Sequence, residues 1–133
     1  VGVEIAVQTA VYTRLNGDAT LGAVINGVYD HVPDNSSAPY VVIGDDDLDS
    51  WLTMGTNGFN GTLTVHTWTE GTGMSACKTI MGLIYGLLHK HSLSVSGYNT
   101  AGLLLVNANA FKEADNRTFH GVQQFQVWLR DSA

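Results

Sequence analysis

Apolar residues at the start of the chain recur every three or four positions: Val3, Val7, Ala10, Val11 and Leu15. That spacing predicts an amphipathic helix with one buried stripe, and Asn16-Gly17 supplies its stop through a residue able to turn left-handed. A second short helix is expected from Ala19 to Ile25, capped by Asp18 and ended by Asn26-Gly27. The longest helical pattern runs from Met74 to His91. Cys77, Ile80, Met81, Ile84, Leu87 and Leu88 share a wide apolar face, with Thr72 offered as the cap. Gly82 and Gly86, one turn apart within it, predict a close backbone approach at a cost of about 1 kcal/mol each in helix propensity.

Between these helices the period changes to two. Val28–Val32 reads as a short strand ended by Pro33, and Tyr40–Ile43 as a β-branched buried strand. From Asp45 through Trp51 an acidic, irregular stretch is expected, followed by a polar loop or hairpin arm up to Gly61. Thr62–Thr69 alternates, with Leu63 and Val65 on one face and Thr62, Thr64 and His66 on the other. Beyond Leu93 and Val95, a turn at Gly97-Tyr98-Asn99 leads into a strand from Gly102 to Phe111. Asp115-Asn116-Arg117 then turns the chain into a last strand, Thr118–Arg130. There Phe119, Gly121, Gln123, Phe125, Val127 and Leu129 face one side, and His120, Val122, Gln124, Gln126, Trp128 and Arg130 the other. Glutamines on both faces imply a strand that meets something beyond its own core. The succession of helix, strands, helix and strands predicts an α+β fold, a mainly antiparallel β-sheet with helices packed on one face.

The 133 residues suit a single domain, 1–133, without linker or repeat. Apolar residues make up 44% and charged residues 14%, well under the usual quarter, which leaves surface for partners. The net charge of −6 is unevenly spread: residues 1–60 carry eight acids and one base, residues 61–133 four acids and five bases. No cluster of Lys and Arg is present to hold phosphates, so tight nucleic-acid binding is not expected. No run of 18 apolar residues exists to span a membrane. The single cysteine, Cys77, falls on a helical apolar stripe and reads as a core residue of a protein made in a reducing cytoplasm.

Chemistry is sparse. Asp45, Asp47 and Asp49 imitate the opening of a calcium loop, but Ser50 stands where the turn glycine is needed and Thr56 where the bidentate Glu belongs. The histidines (His31, His66, His89, His91 and His120) contain no i, i+4 pair for zinc, and His89 with His91 suits the dipole at a helix end. Neither a nucleophile elbow nor a phosphate loop is present; Gly71-Thr72-Gly73 lacks the spaced glycine and the Lys. Trp51, Trp68 and Trp128 admit a ligand pocket, but are better read as packing against helices or a neighbouring subunit. No enzyme, cofactor or metal site is expected.

Several segments, taken in order, carry a resemblance. They are Val11-Tyr12-Thr13-Arg14-Leu15, Val28-Tyr29-Asp30-His31-Val32-Pro33, and Ala38-Pro39-Tyr40-Val41-Val42-Ile43-Gly44-Asp45. Thr62-Leu63-Thr64-Val65-His66-Thr67-Trp68 follows, then the helix Ala76–His89 with Leu93, and Arg117-Thr118-Phe119-His120-Gly121-Val122-Gln123-Gln124-Phe125. In this succession the chain resembles the siphophage tail-completion, or tail-terminator, family of head-to-tail joining proteins, which also occurs in prophages and gene transfer agents. The resemblance implies a virion protein assembled in the host cytoplasm, whose homohexameric ring caps the tail tube and meets the head connector. The implied partners are further copies of the chain, the tail tube protein and the connector or stopper, with genomic DNA crossing the lumen without tight binding. Candidate interface residues are Asp45, Asp46, Asp47, Asp49, Trp51, Phe59, Gln124, Gln126 and Trp128, the first of these on an arm spanning 45–60. A head-completion or stopper ring of the neck, or a small α+β ligand-binding domain, are the alternatives.

Overall fold

The computed structural model describes residues 3–34, 36–53, 56–71, 73–90 and 98–131, with side chains for all of these except 3, 4, 45–53, 56, 57, 98–101, 130 and 131. The elements in order are α1 (Val3–Asn16), α2 (Ala19–Gly22), β1 (Val28–Tyr29), β2 (Tyr40–Thr53), β3 (Thr56–Glu70), α3 (Ser75–Leu88), β4 (Tyr98–Lys112) and β5 (Thr118–Asp131). One five-stranded sheet has the order β1-β2-β3-β5-β4. Only β1 and β2 run parallel, paired at Val28–Val41 and Tyr29–Val42; every other pairing is antiparallel. The architecture is α+β, with the three helices on one face of the sheet.

The core lies between the two layers. Val7, Val11 and Leu15 of α1, and Ile80, Ile84 and Leu88 of α3, are buried against Val41, Ile43, Leu63, Val65, Leu103, Phe125, Val127 and Leu129 of the sheet. The helical stripes are the expected ones, with Ala6 added to α1 and Leu87 only partly buried. Arg14 Nε donates to the carbonyl of Leu87, which ties α1 to the end of α3. A smaller cluster of Cys77, Met81 and Phe119 continues the core beneath the start of α3.

Several boundaries differ from expectation for identifiable reasons. α1 ends at Asn16 as predicted, but Gly17 is not left-handed: the described residues with positive φ are Gly71, Lys90 and Asn116. Gly17 instead provides room, since a Cβ there would lie 3.0 Å from the carbonyl of Thr13. Asp18 caps α2 by accepting from Leu21 N–H at 2.8 Å, yet the helix stops at Gly22 and not at Ile25. The chain is drawn into an extended path there, as Asn26 N–H donates to Pro39 and Val41 N–H donates to Gly27. β1 is two residues long, not five, because parallel pairing with β2 ends at Val42.

The stretch expected to be irregular is a regular strand. β2 runs unbroken from Tyr40 to Thr53, apart from a bulge at Asp45, and pairs with β3 as far as Thr53–Thr56. β5 holds β3 from Gly58 onwards, so the 45–60 arm is built into the sheet and only its tip extends past β5. Repeated backbone pairing on both sides of β3 outweighs the low strand propensity of Asp, Asn and Gly. Tyr98 and Asn99, placed in a turn by their sequence, begin β4; His91, Leu93, Val95 and Gly97 lie outside the described residues. Thr72 also lies outside them, and the N-cap of α3 is Met74, which makes no side-chain capping bond. Gly82 and Gly86 face open space, so the close helix approach expected of them is absent from the single chain.

Candidate interaction site

Alternation along four paired strands produces two unlike sheet faces. One is covered by helices. The other has no element packed on it among the described residues, and the register sets its side chains in rows. Tyr40, Trp68, His120 and Phe111 form the first row, and Val42, His66, Val122 and Asn109 the second. Gly44, Thr64, Gln124 and Asn107 form the third. Thr62, Gln126 and Leu104 follow, with Asp47 at the register position on β2, and then Asn60, Trp128 and Gly102, with Asp49 at that position.

No Asp, Glu, Lys or Arg stands in the first three rows, whereas β2 brings Asp47 and Asp49 to the register of the last two. Hydroxyls and amides occupy the middle, and aromatic rings mark the two ends. Trp128, 37% exposed, lies flat across Gly102, where a Cβ would come within 2.4 Å of its ring. Trp68 stacks on His120 with ring centroids 3.7 Å apart. The two tryptophans stand eight strand residues apart along β5, roughly 27 Å. They do not converge on one pocket. The hollow beside Trp68, about 440 Å³, is shallow and bounded by Asp30, His31, Tyr40 and His66.

The aromatic end holds a polar group of two histidines and a glutamate. His66 Nδ1 and His120 Nε2 are 2.8 Å apart, and His120 Nδ1 lies 3.3 Å from the Glu113 carboxylate. With His120 donating from Nδ1 to Glu113, its Nε2 is left to accept from His66 Nδ1–H, so the His120 ring is neutral in this arrangement. Burial holds His120 below the usual histidine range; His66 adds to this, and Glu113 opposes it. A proton on Nε2 of His120 would face the N–H of His66. Among the described residues there is no group of three or more His, Cys, Asp or Glu able to hold a metal ion.

Of the residues singled out by sequence, Gln124, Gln126 and Trp128 stand together on the uncovered face. Asp46, Asp47, Asp49 and Trp51 fall in β2 opposite Leu63, Thr62, Asn60 and Gly58, and Asp45 occupies the bulge. Phe59 belongs to the other face, opposite Leu129, and packs against the core. His89 is not the dipole partner expected of it: its Nδ1 accepts from Leu105 N–H at 2.9 Å, and its ring stacks on Tyr85. The His66–His120 pair escaped the sequence reading. Both residues were on polar strand faces, but 54 positions separate them and only the β3–β5 register makes them neighbours.

Residues 9–130 match the family described as Tail completion protein gp17. A curated relative, tail completion protein gp17 of Bacillus phage SPP1, is 28% identical over 127 residues, covering 96% of this chain and 94% of its own length. A chain in the virion of a native gene transfer agent particle superposes with a TM-score of 0.88 at 25% identity, covering 97% of this chain and 98% of that one. The structure of bacteriophage SPP1 gp17 superposes with a TM-score of 0.63 at 23% identity, over 92% and 87% of the two chains.

Proposed function

Because the chain belongs to the gp17 tail completion family and is a structural component of the virion tail, we propose that it forms the ring that terminates the tail tube and joins it to the head connector. The observation that supports this most is the uncovered sheet face. Among the described residues no helix or strand covers one side of the four long strands, as expected of a subunit whose surface is completed by assembly. A ring, hexameric by the family resemblance, would turn the helices outwards and this face towards the lumen.

The chemistry of the face suits that position. Gln124, Gln126, Asn107, Asn109 and Thr62 offer amides and a hydroxyl without cationic groups, so DNA could slide past with no phosphate clamp. The tube and the connector would meet the two ends of the strands.

Light scattering combined with negative-stain images of the purified protein, alone and mixed with tail tubes, tests the proposal. Closed rings near six copies, or tubes capped at one end, are the expected result. A protein that remains monomeric and leaves tube ends open would refute it. Salt-sensitive submicromolar binding of duplex DNA would refute the passive lumen.

A further inference from the structure

Both edges of the sheet are unpaired over long stretches. On one side β1 covers β2 only at Val41 and Val42, leaving the outer edge from Gly44 to Thr53 without a strand partner among the described residues. On the other side β4 is the terminal strand. The beginning of its edge is closed by the end of α3: Lys90 N–H donates to Leu103 at 2.8 Å, and Leu105 N–H donates to His89 Nδ1. A bulge at Val106 then shifts the phase by one residue. Beyond it, the inward bond from Glu113 N–H to Thr118 sets the outward backbone groups at Ala108, Ala110 and Lys112. Those groups find no strand partner among the described residues.

The two edges differ in charge. The free part of β2 carries Asp45, Asp46, Asp47 and Asp49 and no base, whereas β4 carries Lys112 and no acid. Pairing β2 with β2 would set eight aspartates along one seam. The strand directions are equally selective. β2, β3, β5 and β4 alternate in direction, so a second copy set beside β4 brings its β2 antiparallel to it. Within one copy Phe111, Asn109 and Asn107 are level with Tyr40, Val42 and Gly44, so bringing residues 106–112 to the free 44–53 edge requires a stagger of about six residues, which strands tilted by about 35–45° to a ring axis accumulate over four strands. The unit of four strands then repeats with every pairing antiparallel.

We propose that copies of this chain join head to tail by sheet extension, the 106–112 edge of β4 in one copy pairing with the acidic 44–53 edge of β2 in the next. This rests on the ring reading above and assigns its seam. A heterologous contact of this kind closes into a ring when the rotation divides a full turn. Backbone hydrogen bonds supply the adhesion, while the aspartates and Lys112 select the pairing. Main-chain bonding also explains how a surface with few charged residues could associate specifically.

Two variants test the seam. Ala108→Pro removes an N–H that points away from β5, at an exposed edge position where proline leaves the internal ladder intact. Lys112→Glu reverses the sole charge of the β4 edge. Thermal melting and circular dichroism establish that each is folded, and light scattering, with tail tubes added where the ring needs them, measures assembly. Each folded variant is expected to need a subunit concentration about tenfold or more above wild type for half assembly. Wild-type rings are also expected to weaken as salt rises. Should Ala108→Pro fail to fold, Lys112→Glu alone decides. Rings that form normally in the folded variants would overturn the seam and leave the ring standing. A wild type that forms no ring, alone or on tubes, would overturn both, and one that stops at a two-copy species would replace this seam by a symmetric contact.

Discussion

Gln123→Leu should make the protein more stable. Gln123 is 2% exposed, beneath α3, and its Nε2 donates to the carbonyl of Met81 at 3.0 Å. Its Oε1 is buried with no hydrogen-bonding partner among the described residues, as is the hydroxyl of Thr67 on the same face. An unsatisfied buried acceptor costs about 1–3 kcal/mol, and the bond to Met81 contributes about 1 kcal/mol. Losing that bond does not orphan the carbonyl, which remains within the i to i+4 pattern of α3. Leucine is close in size and adds apolar burial of about 1 kcal/mol. The net expectation is a gain of about 1–2 kcal/mol, or roughly 3–5 °C in melting temperature for each kcal/mol. Urea denaturation should show a higher midpoint at unchanged slope. A variant less stable than wild type by 1 kcal/mol or more would refute the reasoning, because Oε1 would then be a satisfied member of a polar network with Thr67.

Three further outcomes are expected. Gly121→Ala should cost about 1–3 kcal/mol in the same denaturation assay, since its Cβ would come within 2.5 Å of Met81 Sδ and 3.1 Å of Cys77 Sγ; an unchanged midpoint would mean that Met81 moves aside freely. His120, depressed by burial and by His66, favours the fold in its neutral form, so that contribution is present above about pH 6.5 and is lost as pH falls through the lower folded value. His120→Phe should flatten the decline in melting temperature between pH 7 and 5, and a wild type more stable at pH 5 than at pH 7 would contradict the assignment. Asp115 accepts from the Thr118 hydroxyl and from the N–H groups of Arg117 and Thr118, which lower its pKa to about 2. Its stabilising effect on the β4–β5 turn is therefore present above the ordinary carboxylate pKa and lost as pH falls through about 2. A carboxyl titration followed by NMR that gave an ordinary midpoint would show the turn to be unformed in solution.

Helices were the most legible part of the chain, because a stripe at spacings of three and four depends only on residues within one element. Val7, Val11 and Leu15, like Ile80, Ile84 and Leu88, are buried where that spacing puts them. The last strand was equally clear, since period-two alternation puts Phe125 and Leu129 on one side and Gln124 and Gln126 on the other without any partner being known; the structure makes the first side the core. Legibility failed where local preference and pairing disagree. Asp45 to Ser50 has the composition of a loop, yet β3 lies alongside and its hydrogen bonds make those residues a strand.

By itself, then, the sequence determined the fold class, the two apolar helix faces, the sides of β5 and, through the order of its segments, the family. Each follows from short-range spacing or from succession along the chain. Only tertiary structure decided that β5 enters between β3 and β4, that His66 meets His120, that Phe59 faces the core, and that the acidic segment forms one free edge with β4 at the other. Those features rest on strand order and register between segments distant in sequence. Alternation names the face a side chain takes, but not the strand that will lie beside it.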